Sequence, residues 1–293
     1  MPHTFHPNYL KSIEELKSLF KAAKTLLENR RTRFSSYLEQ QGYVLFEKLE
    51  LEVNTLFQVI PGAEMVNENE TEVWDISLAS VLGRQVLEDC VTFLYLVEPN
   101  LLVEQTGFRE LVWKYHSDKE SVEIADLYGF LSAPDGPQNA VIPVLKKQAE
   151  ARLPGLKKTV LNHPCFDRVD GKLRGKIKKG EAKLVLQKDE ILSRFGITKS
   201  FYDAPYKNLS QFVHSTGFSL NVLPQTKIPS SMAEANFHLI CIFVNFLFAT
   251  ALGEAIRSFG GTRSLNKEVE FIRTRNRGVL ETAQKHAGAA QSQ

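Results

Sequence analysis

The chain has 293 residues, of which 43% are hydrophobic and 24% are charged, proportions that are typical of a soluble globular protein. This length suits one large helical domain, or one domain with appendages. The three cysteines, Cys90, Cys165 and Cys241, are odd in number and far apart, which argues against a disulfide framework. There is no C-x-x-C pair and no apolar signal segment at the N-terminus, so we expect a reducing, cytoplasmic location.

Helical periodicity dominates from the N-terminus onward and alternating strand patterns are scarce, so the sequence predicts an all-α fold. Apolar residues recur at helical spacing over 13–27 and again over 46–60. These two runs predict a long antiparallel hairpin, or one bent helix with a break at Gly42. Residues 71–98 are apolar over most of the helical circumference, which predicts a central helix that is buried on several sides.

Further helices are predicted along the rest of the chain. Residues 101–131 predict one or two amphipathic helices, and residues 133–143, rich in Pro and Gly, predict a loop. A helix is predicted near Pro205, because proline suits the first helical turn. A capping box that begins at Ser231 predicts the start of an apolar helix, and Gly260 its end.

The predicted architecture is a multi-helix bundle around the buried central helix. An N-terminal helical hairpin spans residues 1–62, the main helical domain spans residues 70–260, and a polar C-terminal tail spans residues 261–293. Within the main domain, proline and glycine punctuate residues 154–183 and predict a basic loop insertion.

The basic cluster is the strongest local asymmetry of charge. Residues 157–183 hold nine Lys or Arg against three Asp or Glu, whereas the formal net charge of the whole chain is +2. The cluster suits either a solvated insertion between helices or a surface that faces the phosphates of RNA. No aromatic residue alternates with the lysines, so the sequence shows no sign of base stacking. The candidate nucleic-acid-binding residues are Lys172, Arg174, Lys176, Lys178 and Lys179.

One segment, residues 237–256, has to be distinguished from a membrane span. A span needs about 20 predominantly apolar residues, and here His238, Asn245 and Glu254 interrupt or bound the apolar part. We therefore predict a helix that is buried in a protein core, rather than a membrane anchor.

Two polar groups on predicted helices are the candidates for chemistry. Arg84 and Glu88 stand four residues apart, so they share a helical face and can form an ion pair. Tyr206, Ser210 and His214 also recur every four residues and form one line along a helix. A histidine can act as a general acid or base near neutral pH, and Ser210 can orient its imidazole. No zinc motif, nucleophile elbow or nucleotide-binding glycine loop occurs, so neither a metal nor a cofactor is expected.

The order of these features resembles a family of bacterial all-helical proteins without an assigned activity. An R-x-x-x-E helix (Arg84, Glu88) precedes an aromatic-rich helix (Trp113, Tyr115), a Y-x-x-L-S-x-x-x-H helix (residues 206–214) and a long apolar helix. That family is distantly similar to the HEPN superfamily (higher eukaryotes and prokaryotes nucleotide-binding). The resemblance covers about residues 70–258.

The resemblance implies metal-independent cleavage of RNA, often by a homodimer, in toxin or phage-defence systems. The superfamily motif has an Arg, a polar residue, three residues of any kind and a His. Ser210-x-x-x-His214 matches its second part, whereas Leu209 stands where the motif has Arg, so Arg84 is the candidate for the missing charge. His214 would then take the proton of a ribose 2′-hydroxyl, and Glu88 would position Arg84 beside the phosphate.

The alternative is a noncatalytic helical interaction module, as in other members of the superfamily. In that case the polar residues form a buried network that chiefly specifies how the helices pack. The sequence leaves open whether the chain is an enzyme. The two hypotheses differ in whether solvent can reach the cluster formed by Arg84, Glu88, Tyr206, Ser210 and His214.

Overall fold

The computed structural model describes residues 4–29, 34–63, 74–131, 138–213 and 230–291, with the backbone alone at residues 128–131, 138–140 and 283–291. The chain forms two compact units. Unit 1 comprises residues Met1–Val97 and Leu192–Gln293, and unit 2 comprises residues Glu98–Ile191. Every regular element in the described ranges is a helix, as the all-α prediction required.

The helices of unit 1 come from both ends of the chain. Residues 188–194, which form α7 (Lys188–Arg194), contain the boundary between the units. The other helices of unit 1 are α1 (Pro7–Glu28), α2 (Tyr37–Val59), α3 (Ile76–Leu96), α8 (Lys199–Val213), α9 (Ser231–Phe259) and α10 (Arg263–Gln291).

The predicted central helix is α3, which contacts α2, α8 and α9. Its last turns are buried on all sides, because every residue from Asp89 to Leu96 is buried. Aromatic rings join it to two neighbours: the ring centroid of Phe93 lies 5.3 Å from that of Phe46 on α2 and 6.2 Å from that of Phe259 on α9. Unit 1 is therefore a helical bundle with α3 inside it.

The long apolar helix α9 packs inside unit 1. It is the only helix in the described ranges that is long and apolar enough to cross a membrane, and 83% of its most apolar window is buried inside the protein. Asn245, one of its polar residues, is fully buried and donates a hydrogen bond to the backbone carbonyl of Ser12 (2.8 Å). These contacts are those of a core helix, as the sequence predicted.

Unit 2 has a hydrophobic core of its own. It contains α4 (Val103–Leu131), α5 (Gln138–Leu161), a 3₁₀ turn at Phe166–Arg168 and α6 (Gly171–Lys179). Phe108 and Val112 from α4, Val160 from α5 and Ile177 from α6 are buried together in this core.

The structure corrects the prediction of a basic loop over residues 154–183. Most of that segment is helical, in the last part of α5 and in α6, and its apolar residues anchor it to the core of unit 2. Of the loop predicted over residues 133–143, residues 133–137 lie outside the described ranges and residues 138–143 begin α5 instead. Pro143 and Pro154 both lie inside α5, where each removes one backbone hydrogen bond of the helix without ending it.

Several predicted boundaries also move. Gly42 lies inside α2 and does not break it. Glycine allows a close contact there, since a Cβ at position 42 would stand 2.7 Å from Val97 Cγ1. Helix α8 begins at Lys199, six residues before Pro205.

The N-cap of α9 is Ser230, whose hydroxyl accepts from the amide of Ala233. The tail is helical from Arg263 to Gln291, whereas Gly260 ends α9 in the left-handed conformation, as predicted.

Gly83 sets how closely α3 can approach its neighbours. A Cβ at this position would lie 3.1 Å from Ile240 Cγ2 on α9 and 3.7 Å from Leu209 Cδ1 on α8. We expect Gly83→Leu to lower the free energy of unfolding by about 1–3 kcal/mol, because the added side chain overpacks this contact. Chemical denaturation measures the change.

Gly278→Leu is the matched control, since Gly278 is exposed on α10 and a Cβ there meets nothing within 4 Å. This variant should be as stable as the parent or slightly more stable, because glycine is a poor helix former. Equal stability of the two leucine variants would contradict the close contact at Gly83.

Candidate functional site

The candidate site lies where α3 meets α8 in unit 1. Both Arg84 and Glu88 are on α3, and both Tyr206 and Ser210 are on α8. Leu209 is buried and points at the backbone of Gly83, so it brings the two helices together at the residue before Arg84. This apolar contact therefore aligns α8 along α3, so that the polar residues of the two helices lie side by side.

Arg84, Glu88 and Tyr206 form one connected group, which we call the Arg84 cluster. The Nε of Arg84 donates to Oε1 of Glu88 (3.2 Å), as the spacing of four residues predicted. The hydroxyl of Tyr206 donates to the same oxygen (2.5 Å). The guanidinium carbon of Arg84 lies 4.8 Å from the centroid of the Tyr206 ring, within the range of a cation–π contact.

Solvent can reach the Arg84 cluster. The side chain of Arg84 is 25% exposed and that of Glu88 is 33% exposed, and Tyr206 is half-buried. This exposure separates the cluster from a fully enclosed polar network. The cluster therefore lies at the surface of unit 1, with part of each side chain in solvent.

The contacts within the cluster stabilise the charged form of Arg84 and the protonated form of Tyr206. Burial alone would lower the pKa of Arg84, but hydrogen bonding and charge pairing with Glu88 and Tyr206 outweigh burial and raise it. Burial, followed by the hydrogen bond to Glu88, raises the pKa of the Tyr206 hydroxyl. Near neutral pH the cluster therefore holds a charged guanidinium and a neutral phenol, which donates to Glu88.

A second tyrosine, Tyr202, supports the cluster from the preceding turn of α8. Its ring stacks on that of Tyr206, with the centroids 5.3 Å apart. Burial and the negative charge of Glu88 raise the pKa of the Tyr202 hydroxyl. Tyr202 therefore stays neutral, and its ring packs beside the site. Tyr202 was not among the residues predicted from the sequence, although its spacing of four residues from Tyr206 is the same signal that selected Tyr206.

The predicted line of three polar residues on α8 is described only in part. Ser210 lies on α8, and its hydroxyl donates to the backbone carbonyl of Tyr206 (2.7 Å). That bond lies within the helix and takes the hydroxyl hydrogen of Ser210, so Ser210 is tied to its own helix rather than to the Arg84 cluster. His214 lies outside the described residues.

The five candidate nucleic-acid-binding residues all lie on α6 of unit 2. Two of them contact other side chains of that unit. An Nη of Arg174 lies 3.6 Å from Oδ1 of Asp167, and the ammonium of Lys178 lies 5.8 Å from the centroid of the Phe166 ring. The other three, Lys172, Lys176 and Lys179, are exposed.

A second polar cluster, which the sequence analysis missed, lies between α2 and α3. The ammonium of Lys48 pairs with Asp89 (2.5 Å) and with Glu52 (3.0 Å), and Gln85 also donates to Asp89 (3.0 Å). Glu52 and Asp89 are mostly buried. Burial and the nearby charge of Asp89 outweigh the bond to Lys48 and raise the pKa of Glu52 to about 7. No sequence pattern predicts this cluster, because Glu52 and Asp89 lie on different helices and are far apart in the chain.

Within the described ranges, no three His, Cys, Asp or Glu side chains lie together as the ligands of a metal ion would. A comparison of the chain with models of protein families, with curated proteins and with solved structures finds no match. A proposal of function therefore depends on the geometry of the chain and on the resemblance of its motif order.

The hydrogen bond from Tyr206 to Glu88 ties α8 to α3. Tyr206→Phe removes this bond to a carboxylate, and we expect it to lower the free energy of unfolding by about 1–2 kcal/mol. Ser210→Ala is the control, because it removes only a bond within α8, and it should change stability by less than about 0.5 kcal/mol. Urea denaturation of both variants measures the difference, and an unaffected Tyr206→Phe variant would contradict the proposed tie.

Glu52 predicts a dependence of stability on pH. Because its pKa is raised on folding, from 4.5 to about 7, the folded state binds more protons than the unfolded state between these values. The free energy of unfolding should therefore fall as the pH rises from about 4.5 to 7, and Glu52 should contribute no further change above that window. Solvent screening limits the size of the effect to about 1–2 kcal/mol.

Glu52→Gln should flatten this part of the stability profile, because glutamine keeps the shape of the side chain but does not titrate. Glu14→Gln, on the exposed face of α1, is the control and should leave the slope in place. Thermal melts at half-unit intervals of pH measure both profiles. The same slope in Glu52→Gln and in the parent would assign the pH dependence to other groups.

Proposed function

We propose that the chain is a HEPN-like, cytoplasmic RNA-binding protein that cleaves RNA without a metal ion, in a bacterial toxin or phage-defence role. The observation that carries the proposal is the Arg84 cluster, a solvent-reachable arginine that a carboxylate and an aromatic ring hold in one orientation. The resemblance of the motif order to HEPN domains supplies the substrate class and the expectation of a homodimer.

The geometry of the Arg84 cluster suits a phosphate. A guanidinium carries five N–H donors in a fixed plane, and paired donors of this kind match the oxygens of a phosphate. Glu88 holds Arg84 from the side and Tyr206 lies against its flat face. Orientation before binding lowers the entropic cost of placing the guanidinium on the ligand.

The packing of Leu209 supports Arg84 as the source of the charge that the HEPN motif carries one residue before its polar position. Leu209 is 1% exposed and its side chain is directed at the backbone of Gly83. A charged residue at position 209 would be buried in this contact. Arg84, which follows Gly83 in sequence, places a cation beside the same turn of α8 but from the neighbouring helix.

In the proposed mechanism His214 acts as the general base. It takes the proton from a ribose 2′-hydroxyl, whose oxygen attacks the adjacent phosphate and displaces the 5′-oxygen of the next nucleotide. Arg84 stabilises the negative charge that develops on the phosphoryl oxygens, and Glu88 positions Arg84. The basic residues of α6, Lys172 to Lys179, attract the RNA backbone.

One observation favours the noncatalytic interaction module as a second candidate. Glu88 accepts hydrogen bonds from Arg84 and from Tyr206, so the carboxylate joins two helices as a structural network requires. In this case the cluster specifies how α3 and α8 pack, and it has no substrate. Loss of Arg84 or His214 would then lower stability without removing an activity.

One experiment separates the two candidates. Purified protein is incubated with labelled single-stranded RNA in EDTA, the products are tested for 2′,3′-cyclic phosphate ends, and a thermal melt is recorded for each variant. We expect His214→Ala to slow cleavage at least 100-fold, because general-base catalysis contributes about 10²–10⁴-fold, and to leave Tm unchanged. Arg84→Lys should slow cleavage about tenfold, since lysine keeps the charge but not the planar fork.

Lys207→Ala, at an exposed position of α8, is the control and should cleave RNA at the parent rate. Unchanged cleavage by a folded His214→Ala variant would remove His214 from the mechanism. No cleavage by the parent, together with a lowered Tm for Arg84→Ala and His214→Ala, would establish the interaction module instead.

A further inference from the structure

The five basic residues of α6 do not form one surface. Leu173 and Ile177 anchor the helix to the core of unit 2. On one flank of that buried face, Arg174 faces Asp167 and Lys178 lies over the Phe166 ring. These two side chains are engaged within unit 2 itself.

The opposite flank carries a lysine stripe formed by Lys172, Lys176 and Lys179. These positions lie within about 60° of one another around the helix, since each residue advances it by about 100°. All three side chains are exposed, and within the described part of the chain no acceptor pairs with their ammonium groups. Three like charges along one line attract a polyanion and otherwise repel one another.

The C-terminal end of α6 is anchored on α4. A ring nitrogen of His116 lies 2.8 Å from the carbonyl oxygen of Gly180, and the Tyr115 hydroxyl donates to the carbonyl of Lys178 (3.4 Å). Gly180 permits this close approach, because its φ of +71° is left-handed and a Cβ there would lie 2.7 Å from Lys119 Cδ. The C-terminal end of the lysine stripe, at Lys179, therefore lies close to the part of α4 around His116.

The same part of α4 carries Trp113. Its ring is half-buried, and the ammonium of Lys183 lies 5.9 Å from the ring centroid, within the range of a cation–π contact. Trp113 does not alternate with the lysines in the sequence, because it lies on α4, more than 40 positions before the basic segment. The fold of unit 2 brings an indole next to the basic segment.

We infer that the lysine stripe, Lys183 and Trp113 form a binding surface for single-stranded RNA. The stripe contacts successive phosphates, and Lys183 binds a phosphate beside the base that stacks on Trp113. This inference deepens the proposed function and rests on its RNA substrate. It also selects the strand type, since the bases of a duplex are stacked on one another and cannot reach an aromatic side chain.

Binding is tested on full-length His214→Ala protein, which prevents cleavage, with a fluorescein-labelled 12-nucleotide oligouridine followed by anisotropy. The triple variant Lys172→Gln, Lys176→Gln, Lys179→Gln should bind at least tenfold more weakly at 0.1 M salt. Its slope of log affinity against log salt should be smaller by about 2, because each phosphate contact on a single strand contributes about 0.7.

The matched control removes the same charge from unit 1, by Lys11→Gln, Lys21→Gln and Lys24→Gln at exposed positions of α1. This variant should keep the salt slope of the parent and its affinity within about threefold. Equal losses in the two triple variants would overturn the stripe in favour of non-specific attraction by net charge.

Trp113 provides its own signal, since the chain contains two tryptophans and the other, Trp74, is 1% exposed. In a Trp74→Phe background the oligouridine should quench the fluorescence of Trp113 with the Kd that anisotropy measures. Trp113→Leu should weaken binding about tenfold, whereas Trp113→Phe, which keeps a ring, should retain most of the affinity. Binding without quenching would overturn the stacking.

Three further outcomes separate this surface from the proposed cleavage. Binding of oligouridine by a parent protein that cleaves no RNA would support the surface and overturn the proposed activity. Cleavage with unchanged affinity in the stripe variant would overturn the surface and leave the activity in place. Tighter binding to duplex RNA, or to vesicles with anionic lipid, than to oligouridine would also overturn the surface.

Discussion

The enclosure of α3 by α2, α8 and α9 is the constraint on which unit 1 depends. A helix that is buried on several sides can keep a charged side chain only where a neighbour satisfies it. The three charged residues of α3 follow this rule. Arg84 and Glu88 pair with each other, Glu88 also accepts from Tyr206 on α8, and Asp89 pairs with Lys48 on α2.

Two adjacent acids of α3 thereby meet different environments. Glu88 and Asp89 point about 100° apart around the helix, so one faces α8 and the other faces α2. The group around Glu88 is reachable from solvent and holds a cation in place. The group around Asp89 is more enclosed, and its partner Glu52 keeps a proton up to about pH 7. The first group therefore suits a ligand, and the second makes stability depend on pH.

In unit 2, apolar packing holds a strongly basic segment in a defined conformation. Apolar residues at intervals along that segment, among them Val160, Leu173 and Ile177, bury against α4 and offset the repulsion between lysines. Because the anchors recur at helical spacing, the lysines between them are directed outward on defined flanks. The aromatic neighbour comes from α4, so the composition of the segment alone did not reveal it.

The sequence by itself determined the all-α class, the buried character of α3 and α9, the pairing of Arg84 with Glu88 and the location of the basic cluster, because each depends on periodicity or on spacing within one helix. Only the tertiary structure decided that the basic segment is helical and that the packing of Leu209 places Arg84 beside α8. It also decided that Glu52 lies near Asp89 and that Trp113 lies near Lys183. Those contacts join residues that are far apart in the chain. Packing between helices creates them, and no local pattern records it.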